Sequence, residues 1–200
     1  MTAIEGLERY PKTASVGGKA ITFRLMRGGD EAAMVAFARS LPEHDLLFLA
    51  RDITNEAEVA DWVKSVEAGQ IDTIVAVHDG AFVGYAAVHR SVMRWSAHVA
   101  ELRVMVGPDL RGTGLGRQLT QEAFALGLVS GVEKMIGQMT LDQKGAIAVF
   151  EGLGFRPEAL LRDHVKDRSG KTHDLLMLSH EVARFEAQRA AYGVAEAFGA

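Results

Sequence analysis

The chain has 200 residues, of which 48% are hydrophobic and 24% are charged, and its formal net charge is -4. This length can bury one sizeable core, so we expect a single main domain, and the mild negative charge gives no indication of nucleic acid as a partner. The chain contains no cysteine, which excludes disulfides, thiolate catalysis and zinc held by cysteines.

The first part of the chain predicts one strand followed by three helices. Residues 1–19 show little periodicity and are interpreted as a lead-in with one short strand. Residues 20–27 alternate between apolar and polar side chains, which is typical of a half-buried strand. Asp30 follows two glycines and stands in the position of an N-cap. Helices are predicted over 31–40, 43–50 and 55–67.

The second part of the chain changes to a strand-rich pattern, with helices between the later strands. Asp79 and Gly80 provide the two-residue turn of a β-hairpin. This order predicts an α/β fold of the α+β type, in which helices flank a mixed, mostly antiparallel central sheet. Strands are predicted over 71–78, 81–89, 97–106, 132–140, 154–165 and 172–179, and helices over 115–128 and 144–153.

The ends of the chain bear on domain boundaries and location. Residues 183–200 are rich in alanine and predict a C-terminal helical tail, which leaves residues 20–182 as the domain after the 1–19 lead-in. No apolar run approaches the roughly 20 residues that a membrane span needs, and the first six residues lack the basic and apolar segments of a signal peptide. We therefore expect a soluble, cytoplasmic protein without a membrane partner, and the sequence leaves open whether it forms a homodimer.

A glycine-rich loop joins the strand over 97–106 to the helix that follows it. Glycines at positions 112, 114 and 116 alternate with other residues, so backbone N–H groups can approach an anion without interference from Cβ atoms. The following helix adds unpaired N–H groups and the positive end of its dipole. The loop therefore predicts a pyrophosphate site, and Arg111 and Arg117 add positive charge beside it.

Other interpretations of this loop would require different residues or different neighbouring elements in the sequence. A P-loop would end in Gly-Lys-Ser or Gly-Lys-Thr, which does not occur here. A dinucleotide fingerprint would place its third glycine at position 117, which is Arg, and would need a preceding parallel βαβ unit. A glycine-rich turn without a ligand is the simplest alternative for the loop taken alone.

Two segments together resemble the GNAT family of N-acetyltransferases. Residues 111–116, R-G-T-G-L-G, resemble the family's acetyl-CoA pyrophosphate loop. Residues 146–155, A-I-A-V-F-E-G-L-G-F, resemble its second motif, a helix ending in Gly-Phe beside the pantetheine and thiol of the cofactor. The resemblance extends over about residues 20–180 and implies the acyl-CoA N-acyltransferase fold. It also implies acetyl-CoA as cosubstrate and, as acceptor, a primary amine of a small molecule or of a protein lysine.

The resemblance also assigns residues to the cofactor site. It implies that the backbone of Val104, Met105 and Val106 pairs with the pantetheine amides as an added strand would. Gln143 stands where the family often has an asparagine that contacts the cofactor. The loop N–H groups and nearby charges would hold the pyrophosphate, through Arg111, Gly112, Thr113, Gly114, Leu115, Gly116 and Arg117.

Phe150 departs from the family pattern, because the family often has a tyrosine at this position that protonates the leaving CoA thiolate. Phenylalanine cannot donate a proton, so either another group does so or none is required. A thiol with a pKa near about 8.5 is a tolerable leaving group without protonation at neutral pH. The departure therefore bears on the rate of the reaction and does not exclude activity.

Glu101 is the predicted general base. A lysine amine with a pKa of about 10.4 is almost wholly protonated near neutral pH, so such an acceptor needs a group that removes its proton. Ala100 and Glu101 resemble a strand of the bacterial protein-lysine acetyltransferase branch, in which that glutamate is the expected base. The alternative is a structural carboxylate paired with Arg103. Another position that the family uses for a base holds Gln138, which cannot serve, and Asp142 is a further candidate.

Polar residues outside these motifs suggest two other sites. If the last turn centres on residues 168–169, His164 and His173 lie opposite each other, either as a polar cross-strand pair or as metal ligands. No metal site is predicted from them. His44 and Asp45 lie where the family places its variable acceptor-binding helices, so they are candidates either for substrate contact or for a surface helix start.

Two functions of different classes therefore compete. The first is an acetyl-CoA-dependent N-acetyltransferase in which the amine attacks the thioester directly. The second is a CoA-binding regulatory or sensor module with little turnover, which Phe150 and Gln143 suggest. Release of CoA from acetyl-CoA in the presence of a panel of amines separates the two.

Overall fold

The computed structural model describes residues 9–47, 49–91 and 93–182. The tail predicted over 183–200 lies outside the described residues. Within the described part, one sheet of eight strands is flanked by five α-helices.

The strands and helices alternate along the chain much as the sequence pattern predicts. The strands are β1 (Lys12–Val16), β2 (Lys19–Leu25), β3 (Ile71–His78), β4 (Ala81–Arg90), β5 (Val99–Val106), β6 (Lys134–Thr140), β7 (Arg156–Lys166) and β8 (Thr172–Glu181). The helices are α1 (Glu31–Arg39), α2 (Glu43–Leu46), α3 (Glu56–Glu67), α4 (Leu115–Val129) and α5 (Lys144–Gly152).

The sheet has the strand order β1-β2-β3-β4-β5-β6-β8-β7. The pair β5 and β6 is parallel, whereas the other neighbouring strands in this order are antiparallel. The prediction of a mixed, mostly antiparallel sheet flanked by helices is therefore confirmed. The β3–β4 hairpin turns at Asp79 and Gly80, whose φ angles of 49° and 79° are those that a two-residue type I′ turn requires.

Two apolar cores lie on opposite faces of the sheet, because successive side chains of a strand point to opposite sides. On one face, Ala86 and Leu102 pack with Leu119 of α4. On the other face, Tyr85 packs with Trp62 of α3, and Met34 of α1 belongs to the same core. These surfaces are called the α4/α5 face and the α1/α3 face below. With helices on both sides, the central strands are largely buried on both faces.

The short strand expected in the lead-in is β1, and the sheet therefore begins before residue 20. The lead-in is fixed to α4 through Glu122, which is buried and accepts hydrogen bonds from Arg9, Tyr10 and Lys12. Burial raises the pKa of Glu122, but the hydrogen bonds from Lys12 and Tyr10 and the nearby positive charges outweigh it, and the net pKa is lowered. The N-terminal strand is thus anchored by charge to the helix that follows the glycine loop.

Local details differ from the sequence predictions at three places. Helix α2 ends at Leu46 and not at residue 50, because Leu47 adopts an extended conformation. Asp30 precedes α1 but makes no cap bond; its carboxylate instead accepts two hydrogen bonds of 2.7 Å from Arg24. In the last hairpin, His173 lies opposite Val165, because the turn between Lys166 and Thr172 centres on Ser169 and not between residues 168 and 169. The two predicted histidine partners are therefore not a directly opposed pair.

Candidate active site

The strands β5 and β6 separate partway along the sheet and open a cleft. Their parallel pairing covers Val99–Glu101 against Lys134–Ile136, and no pairing follows it in the described residues. The resulting space, about 770 Å³ including the part open to solvent, is called the cleft below. Its lining residues are Asp45, Leu47, Leu49, Glu101, Leu102, Arg103, Val104, Met105, Gln138, Met139, Thr140, Gln143, Ala146, Phe150, Val165 and Leu175.

One wall of the cleft is the edge of β5 beyond its pairing with β6, where the carbonyl of Val106 accepts hydrogen bonds of 3.4 Å from Arg111. The amide of Gly107 donates to the carbonyl of Val83 (2.9 Å), and the β4–β5 register continues from there through Met105 opposite Tyr85. Because hydrogen-bonded and non-hydrogen-bonded pairs alternate in an antiparallel ladder, Met105 turns its backbone groups towards β4. Val104 and Val106 turn theirs towards the cleft. Of the three residues expected to pair with pantetheine, two thus present their backbone to the cleft. The third, Met105, contributes its side chain to the lining of the cleft.

The glycine loop lies where β5 ends and α4 begins. Gly112 and Gly114 have φ angles of 73° and 95°, which side chains rarely adopt, so this loop conformation depends on glycine. Helix α4 has no side-chain cap and no acidic residue in its first turn. Its N-terminal N–H groups and dipole are therefore available to an anion. Leu115, the first residue of α4, is fully buried and can contribute only its backbone.

Two other contacts fix the glycine loop in place. The hydroxyl of Thr113 donates to the carbonyl of Leu110 at 2.6 Å, which closes the turn before α4. The β1–β2 turn packs against the same residue, since a Cβ atom added at Gly17 would lie 2.8 Å from Cβ of Thr113. Gly116 faces Val106, with 3.5 Å between an added Cβ and the valine methyl. The loop is thus held between the N-terminal hairpin and β5.

The two arginines beside the loop occupy different surroundings. Arg111 forms an ion pair with Asp45 of α2 and lies 3.4 Å from the carbonyl oxygen of Val106. Arg117 extends from α4 to α5, where its guanidinium lies 3.3 Å from the position that a Cβ at Gly152 would take. Arg111 thus lies at the end of β5 and already has an anionic partner, whereas the guanidinium of Arg117 lies against the end of α5.

Gln143 and Phe150 form the opposite wall of the cleft. The side-chain oxygen of Gln143 accepts a hydrogen bond from the amide of Thr140 (3.1 Å), which fixes the turn into α5. Phe150 is 4% exposed and its ring covers Gly137 of β6, where an added Cβ would lie 2.4 Å from the ring. The same ring packs edge-on against Phe155 with the centroids 4.8 Å apart. Phe150 is thus a tightly held apolar wall.

Glu101 lies at the narrow end of the cleft, at the last paired residue of β5. Its carboxylate forms an ion pair with Arg103 at 2.9 Å, and 22% of its side chain is exposed. Gln138 lines the same cleft. Asp142 is not among the lining residues; it pairs with His44 at 2.7 Å, and more than half of both side chains is exposed. Of the two candidate bases, Glu101 is the one inside the cleft.

Sequence reasoning missed His89, which lies opposite Glu101 in the β4–β5 register. Burial, then the positive charges of Arg103 and Arg51, lower the pKa of His89 to about 4, so the ring is neutral at physiological pH. Period-two alternation places His89, Glu101 and Arg103 on the α1/α3 face. This group can be found only from the exact β4–β5 register. The connection over residues 91–98 prevents that register from being predicted from the sequence.

The short helix α2 crosses the rim of the cleft through three consecutive charged residues. Glu43 pairs with Arg168 of the β7–β8 turn at 2.7 Å. His44 pairs with Asp142 after β6, and Asp45 pairs with Arg111 at the glycine loop. Each residue thus connects α2 to a different part of the rim.

The described residues contain no group of three or more histidine and acidic side chains placed to hold a metal ion. No helix among those residues is long and apolar enough to span a membrane.

Comparison with known proteins agrees with this geometry. Residues 35–155 match the model of the acetyltransferase (GNAT) family. No curated protein sequence is significantly similar to the chain. Among solved structures, a GNAT acetyltransferase from Streptococcus pneumoniae has a TM-score of 0.70 at 20% identity, covering 80% of this chain and 99% of that one.

Two further solved structures share the fold. A Salmonella typhimurium protein determined with its cofactor acetyl-CoA has a TM-score of 0.70 at 21% identity, covering 81% of this chain and 94% of that one. A ribosomal-protein-alanine N-acetyltransferase from Brucella melitensis has a TM-score of 0.71 at 22% identity, covering 80% and 98%. The cleft between β5 and β6, the free edge of β5 and the glycine loop before α4 fit acetyl-CoA. The chain belongs to the GNAT acetyltransferase family and is an acyltransferase that uses acetyl-CoA.

Proposed function

We propose that the protein transfers the acetyl group of acetyl-CoA to a primary amine by direct attack on the thioester, with Glu101 as general base. One observation carries the proposal: Glu101 is the last residue of β5 that pairs with β6, and the free edge of β5 begins immediately after it. A strand-like cofactor on that edge would end beside the carboxylate. A base and a thioester would therefore meet at the narrow end of the cleft.

The cofactor would be held mainly by backbone groups. Val104 and Val106 would pair with the pantetheine amides, while the N–H groups of residues 112–117 would surround the pyrophosphate. Arg111 and Arg117 would supply charge without the need for a precise side-chain geometry. Met105, Gln143 and Phe150 would form the walls beside the pantetheine.

The reaction balances without any further reactant. The neutral amine nitrogen forms a bond to the thioester carbonyl carbon, and the carbon–sulfur bond breaks to release the CoA thiolate. Glu101 takes the proton that the nitrogen loses. Phe150 offers the thiolate no proton, and a thiol with a pKa near about 8.5 can take one from water afterwards. The ion pair with Arg103 keeps the Glu101 carboxylate directed along the face where the amine arrives.

A CoA-binding module with little turnover is the second candidate, and two residues favour it. Phe150 lacks the hydroxyl of the family's usual tyrosine, and the side-chain oxygen of Gln143 is engaged by the amide of Thr140. A folded protein that binds acetyl-CoA but releases CoA no faster with any amine than with buffer would support this alternative.

The test of the enzyme function is the pH dependence of Glu101→Gln. This variant keeps the shape of the side chain but cannot accept a proton, so turnover should fall by about 10² to 10⁴. The loss should shrink as the pH rises from about 6.5 to 9.5, because more of the amine is then already neutral. Acetyl-CoA affinity should stay the same, because backbone groups further along β5 hold the cofactor.

Arg103→Gln is the matched control for Glu101→Gln. It breaks the same ion pair but leaves the carboxylate, so a purely structural role of Glu101 predicts an equal drop in melting temperature in the two variants. It also predicts a loss of turnover in Glu101→Gln that does not vary with pH. Such a pH-independent loss would remove Glu101 from the mechanism.

A further inference from the structure

A second, smaller cavity lies on the α1/α3 face beside the narrow end of the cleft. It measures about 270 Å³ including the part open to solvent, and the enclosed space within it, about 20 Å³, admits a group the size of a water molecule or of a carboxylate oxygen. Leu49 and Arg103 line both this cavity and the cleft, so the two spaces adjoin. Its lining residues are Leu49, Ala50, Arg51, Ile53, Trp62, Tyr85, His89 and Arg103. Cationic and hydrogen-bonding groups in an otherwise apolar wall are typical of a subsite for a small polar group.

Arg51 is the unexplained residue of this cavity. It is half-buried, and within the described ranges it takes part in no hydrogen bond or ion pair. Of the nearby acids, Asp61 of α3 pairs with Lys64 at 2.8 Å, and that hydrogen bond, followed by smaller contributions that include the charge of Arg51, lowers the pKa of Asp61. Asp52 accepts bonds from Thr54 at 2.6 and 2.9 Å. Glu58 accepts a bond from the amide of Asp52 at 2.6 Å. The segment is therefore ordered by its own acidic residues, and the guanidinium of Arg51 is left facing the cavity.

A second guanidinium, that of Arg103, lines the same cavity. The positive field is strong enough to affect a neighbour, because both arginines help burial to lower the pKa of His89. Two cations in a partly desolvated site make the binding of an anion favourable, and a guanidinium binds a carboxylate through two parallel hydrogen bonds. The cavity therefore fits the carboxylate of a ligand.

The position of Glu101 defines what else that ligand contains. Glu101 and Arg103 are two residues apart on β5, on one face, and their charged groups are 2.9 Å apart. An α-amino acid also carries two opposite charges at a similarly short separation. Its ammonium complements the negative charge of Glu101, and its carboxylate complements the positive charge of Arg103. Its amine would lie at Glu101 while its carboxylate lies at Arg103 and Arg51.

We infer that the acceptor is a free α-amino acid, whose carboxylate is bound by Arg51 and Arg103 and whose amine is presented to Glu101. The inference rests on the proposed function and adds the class of substrate to it. A lysine side chain within a protein has no carboxylate near its amine, so it would leave Arg51 without a partner. Such lysines are therefore expected to be poor acceptors.

The experiment compares three acceptors that differ only at the carboxylate: an amino acid, its α-amide and the corresponding decarboxylated amine. Wild type should prefer the amino acid in kcat/KM. Arg51→Gln should lower kcat/KM for the amino acid about 10- to 100-fold, the range for a charge-assisted hydrogen bond, mainly through KM. The same variant should change the amide and the plain amine little, so that the preference disappears. Acetyl-CoA affinity should be unchanged, because Arg51 lies off the cofactor edge.

Arg27→Gln is the control, because Arg27 is an exposed arginine after β2, away from the cleft and the cavity. It should leave the amino-acid preference intact. Equal turnover of amino acid and amide by wild type would overturn the inference while the proposed function stands. An equal loss for all three acceptors in Arg51→Gln would do the same.

A second measurement separates failure of the inference from failure of the proposed function. Calorimetric binding of the amino acid and its amide to the protein–CoA complex requires no turnover. If no amine is acetylated but the amino acid binds in an Arg51-dependent way, the enzyme function fails and the subsite stands. If neither ligand binds, or both bind equally, the subsite is excluded.

Discussion

The two sides of the active site are built in different ways. The proposed cofactor side consists of backbone: the edge of β5 beyond its pairing with β6, and a loop whose shape depends on Gly112 and Gly114. The proposed acceptor side consists of side chains that come from β4, from β5 and from the segment after α2. A backbone site tolerates changes in most of its side chains, whereas a side-chain site can change its ligand with one substitution. The difference explains how one fold can keep its cofactor and vary its acceptor.

The largest effect is expected on the backbone side, for Gly114→Val. The φ angle of Gly114 is 95°, and a branched side chain there is strained and blocks the close approach of an anion to the loop. Binding of acetyl-CoA should be abolished in calorimetry, while the protein stays folded. Gly29→Val is the matched control, since Gly29 has a φ of 91° and open space around it but lies outside the cleft. Unchanged affinity in a folded Gly114→Val protein would refute the backbone site.

The sequence predicts the glycine loop with its flanking strand and helix well, because the signals for these elements are local. Alternate glycines, a preceding strand and a following helix are contiguous in the chain, and no distant contact is needed to interpret them. The same holds for the β3–β4 turn, where Asp-Gly sets the pairing of His78 with Ala81 and of Val77 with Phe82, before a bulge shifts the register of the remaining pairs. The backbone direction of Met105 is the exception, because it depends on which residue of β4 it pairs with.

The acceptor side was predicted only in part, because its residues are distant in sequence. Glu101 was identified by resemblance, but its neighbours His89 and Arg51 depend on strand register and on the path of residues 47–55. Helix α2 was predicted too long, and its early end at Leu46 leaves the residues that follow it free to line both cavities. The prediction that His164 and His173 lie opposite each other is wrong because the turn between Lys166 and Thr172 centres on Ser169, one half-residue later than the turn residues alone indicate.

A smaller change in CoA affinity is expected from a substitution where the two sides meet, at the ion pair of Asp45 and Arg111. The pyrophosphate of the cofactor must compete with Asp45 for this arginine. Asp45→Asn should therefore tighten CoA binding about 2- to 5-fold, the range of a partly exposed ion pair. Calorimetric titration with CoA measures this directly.

The control for Asp45→Asn is Glu43→Gln, which breaks the neighbouring ion pair of α2 with Arg168 but does not touch the glycine loop. It should leave CoA affinity unchanged. If both variants tighten binding equally, the cause is loosening of α2 and not release of Arg111. Weaker binding in Asp45→Asn would show that Asp45 positions Arg111 for the cofactor.

The smallest effect is expected for Phe150→Tyr, which restores the usual tyrosine of the family on the backbone side of the site. The ring of Phe150 is fixed over Gly137 and against Phe155 and lines the cleft, so the substitution adds one hydroxyl to an ordered side chain. If the thiolate needs no acid in order to leave, steady-state turnover should rise only modestly or stay the same. Acetyl-CoA affinity should not change, because the strand edge and the glycine loop remain as they are.

The measurement is kcat against pH for both proteins. A wild-type rate that already falls sharply above a pKa near about 9 would reveal another essential acid and contradict this view of the leaving group. A large gain in Phe150→Tyr at every pH would show instead that the missing hydroxyl limits the natural enzyme.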